Sequence, residues 1–457
     1  MIRRTQIRAV LAVVVLGMVL ALAAGFVTAG ESPNARYDRT ADLPAGEQPQ
    51  VVDSRSGVTV VAVQNGDVRD VSGELVAFRS NGTVLYQTER YSTYWDVDPT
   101  PGTDRTVSYV ATEQLDASTC EGGPVPASGG ACQRNVVERL NLSTGERTRL
   151  YSHRSVGGRW HDVDVINDTH VLVGDIANEV AYVVNTTTGI REWTWSAESY
   201  LSPDSGGPYN GDWVHLNDVE YLDDGRIMVD LRNQDQVVFV NRSTGVVDEW
   251  TLGSDDDHDV LHEQHNPDYI PESRGGPAVL VADSENNRVV EYQREDGEWR
   301  RTWAWQDGQL RWPRDADRLP NGHTLVTDSQ GDRVLEVDET GAVVWSVRVP
   351  TPYEAERLGT GDESTGGPSK RARTNGTGGD AAAGEETTGL AWVVAFLTGP
   401  AVNGLLYVAP GWMRIGDLLV ALGLVGTVVV WLGAELFWRG AHRRLVAALR
   451  ERRSTGS

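Results

Sequence analysis

The chain of 457 residues contains one lysine, two cysteines, four methionines and five phenylalanines. Basic side chains number 41, all arginine apart from Lys370, against 65 acidic ones, for a formal net charge of −24. Phosphate backbones need clustered positive charge, so this balance excludes nucleic acid as a partner. The lone lysine sits in a Gly/Thr/Ser-rich stretch, and no Gly-rich phosphate loop or Gly-x-Gly-x-x-Gly fingerprint is found. Nucleotide-dependent chemistry, including PAPS-dependent transfer, is disfavoured on that ground. Neither cysteine lies in a Cys-x-x-Cys or Cys-x-Pro-x-Arg context, which removes thioredoxin-like redox chemistry, c-type haem attachment and a formylglycine nucleophile. Cys120 and Cys132 stand twelve residues apart in one Gly/Pro/Ser-rich loop. That spacing suits a local disulfide and an oxidising compartment.

What the chain has in excess is acid, and the acid lies in the middle. Residues 1–30 carry Arg3, Arg4 and Arg8 and no acid, and residues 439–453 carry six arginines against Glu451. A body this acidic repels itself unless salt screens it, so a halophilic setting is expected. Residues 9–30 form an uncharged apolar run behind the first arginines, which fits a signal peptide or an uncleaved signal anchor over 1–30. A second run leads into the basic tail, giving a transmembrane helix over 416–438 and a cytoplasmic tail over 439–457 by the positive-inside rule. The stretch 389–413, broken by Gly399-Pro400, Asn403 and Pro410, is expected to lie at the membrane interface or enter it. Sequons begin at Asn81, Asn141, Asn167, Asn185, Asn241 and Asn375, and with the basic ends they favour an extracytoplasmic body at a cell membrane. Residues 351–388 read as a disordered tether.

Between residues 50 and 350 short β-branched runs alternate with turn signals, and no helical periodicity is sustained. An apolar strand, a Gly-centred turn and a strand that often ends in Trp recur six times, with turn glycines at Gly82, Gly145, Gly189, Gly245, Gly297 and Gly341. Spacings of 44 to 63 residues match the blades of a propeller. The expected fold is all-β, a six-bladed β-propeller with N-terminal and C-terminal transmembrane helices. The cysteine loop would be an insertion at a blade edge.

A polar cluster precedes most of these turns: Trp95-Asp-Val-Asp, Trp160-His-Asp-Val-Asp, Trp213-Val-His-Leu-Asn-Asp-Val-Glu, Gln264-His-Asn-Pro-Asp and Trp312-Pro-Arg-Asp-Ala-Asp. Each would enter its blade on the first strand, which lines the central channel. Repeated acids such as Asp162, Asp218 and Asp315 are expected to tie neighbouring blades together. The residues that differ between blades are His161, His215 with Asn217, His265 with Asn266, and Arg314, with Arg232 closing the strand after His215. Three imidazoles and guanidinium groups at one mouth suit a small oxyanion, and His can also move a proton or act as a nucleophile.

These residues resemble the arylsulfate sulfotransferases, periplasmic bacterial propeller enzymes, and their archaeal relatives. The resemblance rests on Trp160-His161-Asp162, on Trp213-Val-His215-Leu-Asn217 with the later Val-Asp-Leu-Arg232, on the Arg-Ser-Thr-Gly turn that leads to Gly253, and on Gln264-His265 with the following Leu-Val-Ala-Asp-Ser-Glu-Asn-Asn-Arg288. It implies transfer of a sulfuryl group from an aryl sulfate to a phenol through a sulfohistidine, with no cofactor. Carried over by motif, His265 would be the nucleophile, His215 and Arg232 would hold sulfate oxygens, and His161 would bind the group or move a proton. Asn217, Arg314, Trp213 and Trp312 would contact substrate, and Trp95, Trp160, Trp213 and Trp312 would rim the pocket. The family's Phe-Asp-Asn after the nucleophile strand is Ala282-Asp-Ser284 here. Two rival readings stand beside this one. His258, His262 and His265 could hold a metal, although His-Glu-Gln-His is one residue short of the zinc motif. A membrane-tethered propeller could also serve as a non-catalytic surface binding or assembly module.

Overall fold

The computed structural model describes residues 4–28, 40–373 and 399–440, apart from positions 42, 56, 66–70, 117–131, 156–157, 210, 411 and 439. Six antiparallel sheets form six blades. In blades two to six the strands follow chain order, beginning with the innermost strands Thr93–Pro99, Trp160–Asn167, Leu216–Tyr221, His265–Ile270 and Pro313–Arg318. Blade one is composite. Its innermost strand is Pro352–Arg357, paired with Thr59–Val63, and this pairing closes the ring. The six turn glycines each join the third and fourth strands of a blade, and all have φ between +71° and +89°, the region that glycine enters without a Cβ penalty.

The apolar core is six cores. Among the described residues a small cluster joins Leu115 and Cys132, and each of the six large ones is shared by two adjacent blades, as where Leu172 and Val183 of blade three meet Val219 and Val229 of blade four. The others join blades one and two, two and three, four and five, five and six, and six and one. The channel between the blades is acidic instead. An upper ring holds Asp96, Asp162, Asp218, Asp315 and Glu354 with Asn266 in blade five, and a deeper ring holds Asp98, Asp164, Glu220, Asp268, Asp317 and Glu356. All but Asp164 are buried. The upper ring clasps blade to blade. Asp96 accepts the Val163 amide at 3.1 Å, Asp162 the Val219 amide at 2.6 Å, Asp315 the Ala355 amide at 3.0 Å and Glu354 the Val97 amide at 3.0 Å. Asp218 breaks the series, because the matching place on blade five is Pro267, which has no N–H to donate.

The propeller does not end at residue 350, and residues 351–373 are not a tether. After the closing strand the chain turns through Glu363–Gly366 and a helical turn at Lys370–Arg373. It covers the end of the channel opposite the histidines, with the Ser364 hydroxyl donating to Asp268 and the Glu363 amide to Glu356. Its small-residue composition serves close approach: a Cβ on Gly367 would lie 1.8 Å from the Arg318 carbonyl oxygen. Residues 374–388 of the expected tether, Asn375, Cys120 and the tail from 441 lie outside the described residues. Cys132 is buried one residue ahead of the third strand of blade two. Within 389–413, a helix covers Pro400–Tyr407.

A second compact unit comprises Met1–Glu31 and Leu405–Ser457. Its helices Arg4–Thr28 and Ile415–Trp438 are each long and apolar enough to cross a membrane. They pack antiparallel, with Arg8 donating to Glu435 at 2.7 Å at one end and Phe26 meeting Trp412 edge-on at the other.

Candidate active site

Each innermost strand opens with an irregularity in its ladder. In five blades a single residue bulges there: Trp95, His161, Asn217, Arg314 and Tyr353. In blade five the irregularity follows His265. Bulges re-aim side chains, and these six positions, one from each blade, head the channel at one mouth. Two residues before four of them the backbone is left-handed, at His215 (φ 56°), Glu263 (φ 44°), Trp312 (φ 51°) and Thr351 (φ 40°). His215 is therefore not the counterpart of His161 and His265. Asn217 is. His215 reaches the mouth from the kink instead.

The imidazoles converge. Ring centres lie 5.5 Å apart for His161 and His215 and 6.4 Å for His215 and His265, with Tyr353 at 5.5 Å from His161 and 6.4 Å from His265. Trp95 stacks on His161 at 4.1 Å, and the Tyr353 hydroxyl bonds His161 Nδ1 at 3.1 Å. Tyr353 and Trp312 flank Arg314, whose guanidinium carbon sits 5.0 and 4.5 Å from their ring centres.

His265 is wholly buried, and its tautomer follows from its neighbours. Nδ1 lies 3.1 Å from the Glu263 carbonyl and 2.8 Å from Ser284 Oγ, while the Ser284 hydroxyl donates to the Pro313 carbonyl at 2.7 Å. A carbonyl oxygen only accepts, so Nδ1 carries the hydrogen. Nε2 keeps its lone pair and has no hydrogen-bond partner among the described residues. Burial, reinforced by Arg314 and Arg232, holds the His265 pKa well below the ordinary value, and burial with His215 and Arg314 nearby does the same for His161. Burial and Arg232 push His215 down to about 4 even though Asp212 accepts from its Nδ1 at 2.7 Å. At neutral pH the three imidazoles are uncharged, and the positive charge at the mouth belongs to Arg232 and Arg314. Arg232 is paired with Glu263 and stands 3.8 Å from Asp212.

Several expected site residues fall elsewhere. Trp160 and Trp213 are buried in interblade cores, with Trp160 stacked on Tyr151 and the Trp213 indole donating to the Ser205 carbonyl. They do not rim the mouth, whereas Trp95 and Trp312 do. The Asn217 amide donates to the Gln264 carbonyl at 3.4 Å and its Oδ1 has no partner. The proposed metal trio is not assembled. His258 stacks on His262 and its Nε2 is 3.3 Å from Asp235, while His265 Nδ1 is held by Ser284. Among the described residues no group with ligand atoms close enough for an ion includes a histidine. Tyr353, Ser284, Glu263 and Asp212 were missed. A signal for Tyr353 existed: Pro352-Tyr-Glu-Ala-Glu-Arg-Leu repeats the pattern of Pro313-Arg-Asp-Ala-Asp-Arg-Leu.

Residues 145–349, which contain the three histidines and both mouth arginines, match the model of the arylsulfotransferase (ASST) family. This segment belongs to the arylsulfotransferase family. No curated protein matches the chain. Among solved structures, a Bacteroides caccae protein of unknown function is 11% identical with a TM-score of 0.46, covering 67% of this chain and 100% of its own. A Pseudomonas aeruginosa periplasmic gluconolactonase is 13% identical with a TM-score of 0.41, over 66% of this chain and 99% of its own. A Staphylococcus aureus virginiamycin B lyase is 12% identical with a TM-score of 0.34, over 53% and 76%. The arylsulfotransferase domain therefore takes its assignment from the family match.

Proposed function

We propose that the arylsulfotransferase domain moves a sulfuryl group from an aryl sulfate to a phenol through a sulfohistidine at His265, without a nucleotide donor. One observation carries this reading: a buried, neutral imidazole whose Nδ1–H is anchored and whose Nε2 lone pair is free. Neutral imidazole is a competent nucleophile. Nε2 attacks sulfur, the bond from sulfur to the aryl oxygen breaks, and that oxygen leaves with the bonding pair. The donor leaves as a phenolate that takes its proton from solvent, and His161, uncharged and bridged to the Tyr353 hydroxyl, takes the proton of the acceptor phenol in the second half and releases it to solvent. The acceptor oxygen then attacks sulfur and the N–S bond returns its pair to Nε2. Arg232 and Arg314 offset charge on the sulfuryl oxygens. For this Arg232 exchanges Glu263 for substrate. His215 contributes a hydrogen bond once the bound anion favours its protonated form, with Asp212 as its counterion. Trp95 and Trp312 receive the aromatic rings.

The test is incubation of the protein in high salt with a chromogenic aryl sulfate and a phenol acceptor. Sulfuryl transfer that disappears in His265→Ala supports the proposal, and equal phenol release by both proteins refutes it. No turnover with any phenol pair favours the non-catalytic binding module. We further infer that the propeller lies outside the cell membrane with Cys120 and Cys132 joined and the sequons available. The arginine-flanked ends of the two apolar helices support this orientation by the positive-inside rule.

A further inference from the structure

We propose that Asp96, Asp98 and Glu354, with the side-chain carbonyl of Asn266, form a calcium site in the channel directly beneath the imidazoles. The channel rings hold eleven carboxylates, and among the described residues none lies within 4.0 Å of a basic group. The arginines closest along the inner strands are committed elsewhere, Arg318 to Glu291 and Arg357 to Glu336. A buried carboxylate without a partner of opposite sign either keeps its proton or takes a cation.

The three carboxylates are arranged to take one. An oxygen from each lies within 4.8 Å of the others, and oxygens bound to one calcium ion at its usual distance stand at most about 5 Å apart. An independent feature points to the same place. Asn266 is 4% exposed, its Nδ2 donates to Glu354 Oε2 at 3.1 Å, and its Oδ1 has no hydrogen-bond partner among the described residues. The amide is thus seated against the triad through its nitrogen with its carbonyl oxygen idle, a half-turn of the amide would present that oxygen to an ion, and buried polar atoms are seldom left idle. Asp98 Oδ2 is idle as well. The group of Asp268, Asp315 and Asp317 has similar spacing but no neutral oxygen of this kind, and the proposal is confined to the first. All the donors are hard oxygens, which select alkaline-earth ions over zinc or copper. A buried cage of side chains suits calcium better than magnesium, which gives up its water reluctantly. The bound ion would hold blades one and two together immediately below Tyr353 and Trp95, which contact His161.

The full-length protein in detergent, stripped with chelator and returned to molar potassium chloride, is titrated with calcium chloride alone. Bound calcium per chain and the melting temperature are followed. One saturable site and a calcium-dependent rise in melting temperature are expected. Asp98→Asn and Glu354→Gln should each weaken binding at least tenfold, while Asp268→Asn should leave it within about twofold. Asp98→Asn is isosteric and removes a buried charge, so its calcium-free melting temperature should not fall, which separates loss of the site from loss of the fold. Absence of saturable binding to the wild type, or binding that survives both Asp98→Asn and Glu354→Gln, overturns the proposal. Neither readout depends on sulfuryl transfer, so failure here leaves the proposed reaction untouched.

Discussion

Ser284 accepts the Nδ1–H of His265 at 2.8 Å while its own hydrogen goes to the Pro313 carbonyl at 2.7 Å. Blade five is thereby tied to blade six, and the reactive nitrogen of the imidazole is selected in the same contact. Ser284 stands where the resembled family has asparagine, so the departure in sequence falls on a residue that holds the Nδ1–H in place. Ser284→Ala leaves only the longer contact to the Glu263 carbonyl. A fall in kcat of about ten- to a hundredfold is expected, at or below the lower end of the range for removing an acid–base group outright, with KM for the aryl sulfate nearly unchanged. Parallel changes in kcat and KM would count against a positioning role.

The pH profile should carry the mark of burial. A nucleophile with an ordinary imidazole pKa would lose activity as pH falls through 6.5, the point of half protonation. His265 is held well below that value by burial and the two arginines. The rate of the sulfuryl-histidine step, followed in single turnovers, should therefore stay level from pH 8 to below 6.5 and decline only in more acidic solution. A limb centred at 6.5 or above would contradict it.

Glu263 competes with substrate for Arg232. It is about one-third exposed, so its ion pair is screened, and pairs of this kind are worth about 0.2–1 kcal/mol. Glu263→Gln keeps the carbonyl that holds His265 and frees the guanidinium. Steady-state kinetics should show a lower KM for the sulfate ester by about two- to fivefold. An unchanged or raised KM would indicate that Arg232 does not meet the anion.

Channel acids should make the propeller lose stability between about pH 4 and 7 in calcium-free buffer. Burial raises Asp162 to about 7 and Asp164 to about 6 from the ordinary 3.8. The unfolded chain loses these protons first, so it binds fewer protons than the folded chain between the two values. Stability from these groups is thus greatest below about 4, falls as pH rises to about 7, and is flat above that. Denaturant melts should show a smaller decline between pH 5 and 7 for Asp164→Asn, whose carbonyl can still accept the Tyr221 amide that Asp164 now holds at 2.7 Å.

The bond between Arg8 and Glu435 favours retention of the N-terminal helix as an anchor. Intact mass of the membrane-extracted protein should include residues 4–28. A chain that begins after residue 28 would show that the helix is removed.

Much of the fold could be read from the chain because blades are local. Most strands within a blade are joined by short turns, the cysteine loop of blade two being an exception, and a glycine turn with φ above 70° marks itself by composition at Gly145 or Gly297. The matching first strands announced themselves through Trp-His-Asp and Trp-Pro-Arg-Asp. The closing strand carried the same pattern at Pro352-Tyr-Glu-Ala-Glu, yet it lay after the sixth turn, beside Gly/Thr/Ser-rich sequence that resembles a linker. Its partner Thr59–Val63 is nearly three hundred positions away, and no local periodicity reports a pairing that distant. The site divided in the same way. Residue types determined that histidines and arginines would meet at one mouth of a six-bladed ring. Their charge states, the tautomer of His265, the burial of Trp160 and Trp213 in interblade cores and the place of Tyr353 depended on what each side chain touches. Solvation, hydrogen-bond direction and cross-blade packing are properties of neighbours in space, and only the closed ring supplies those neighbours.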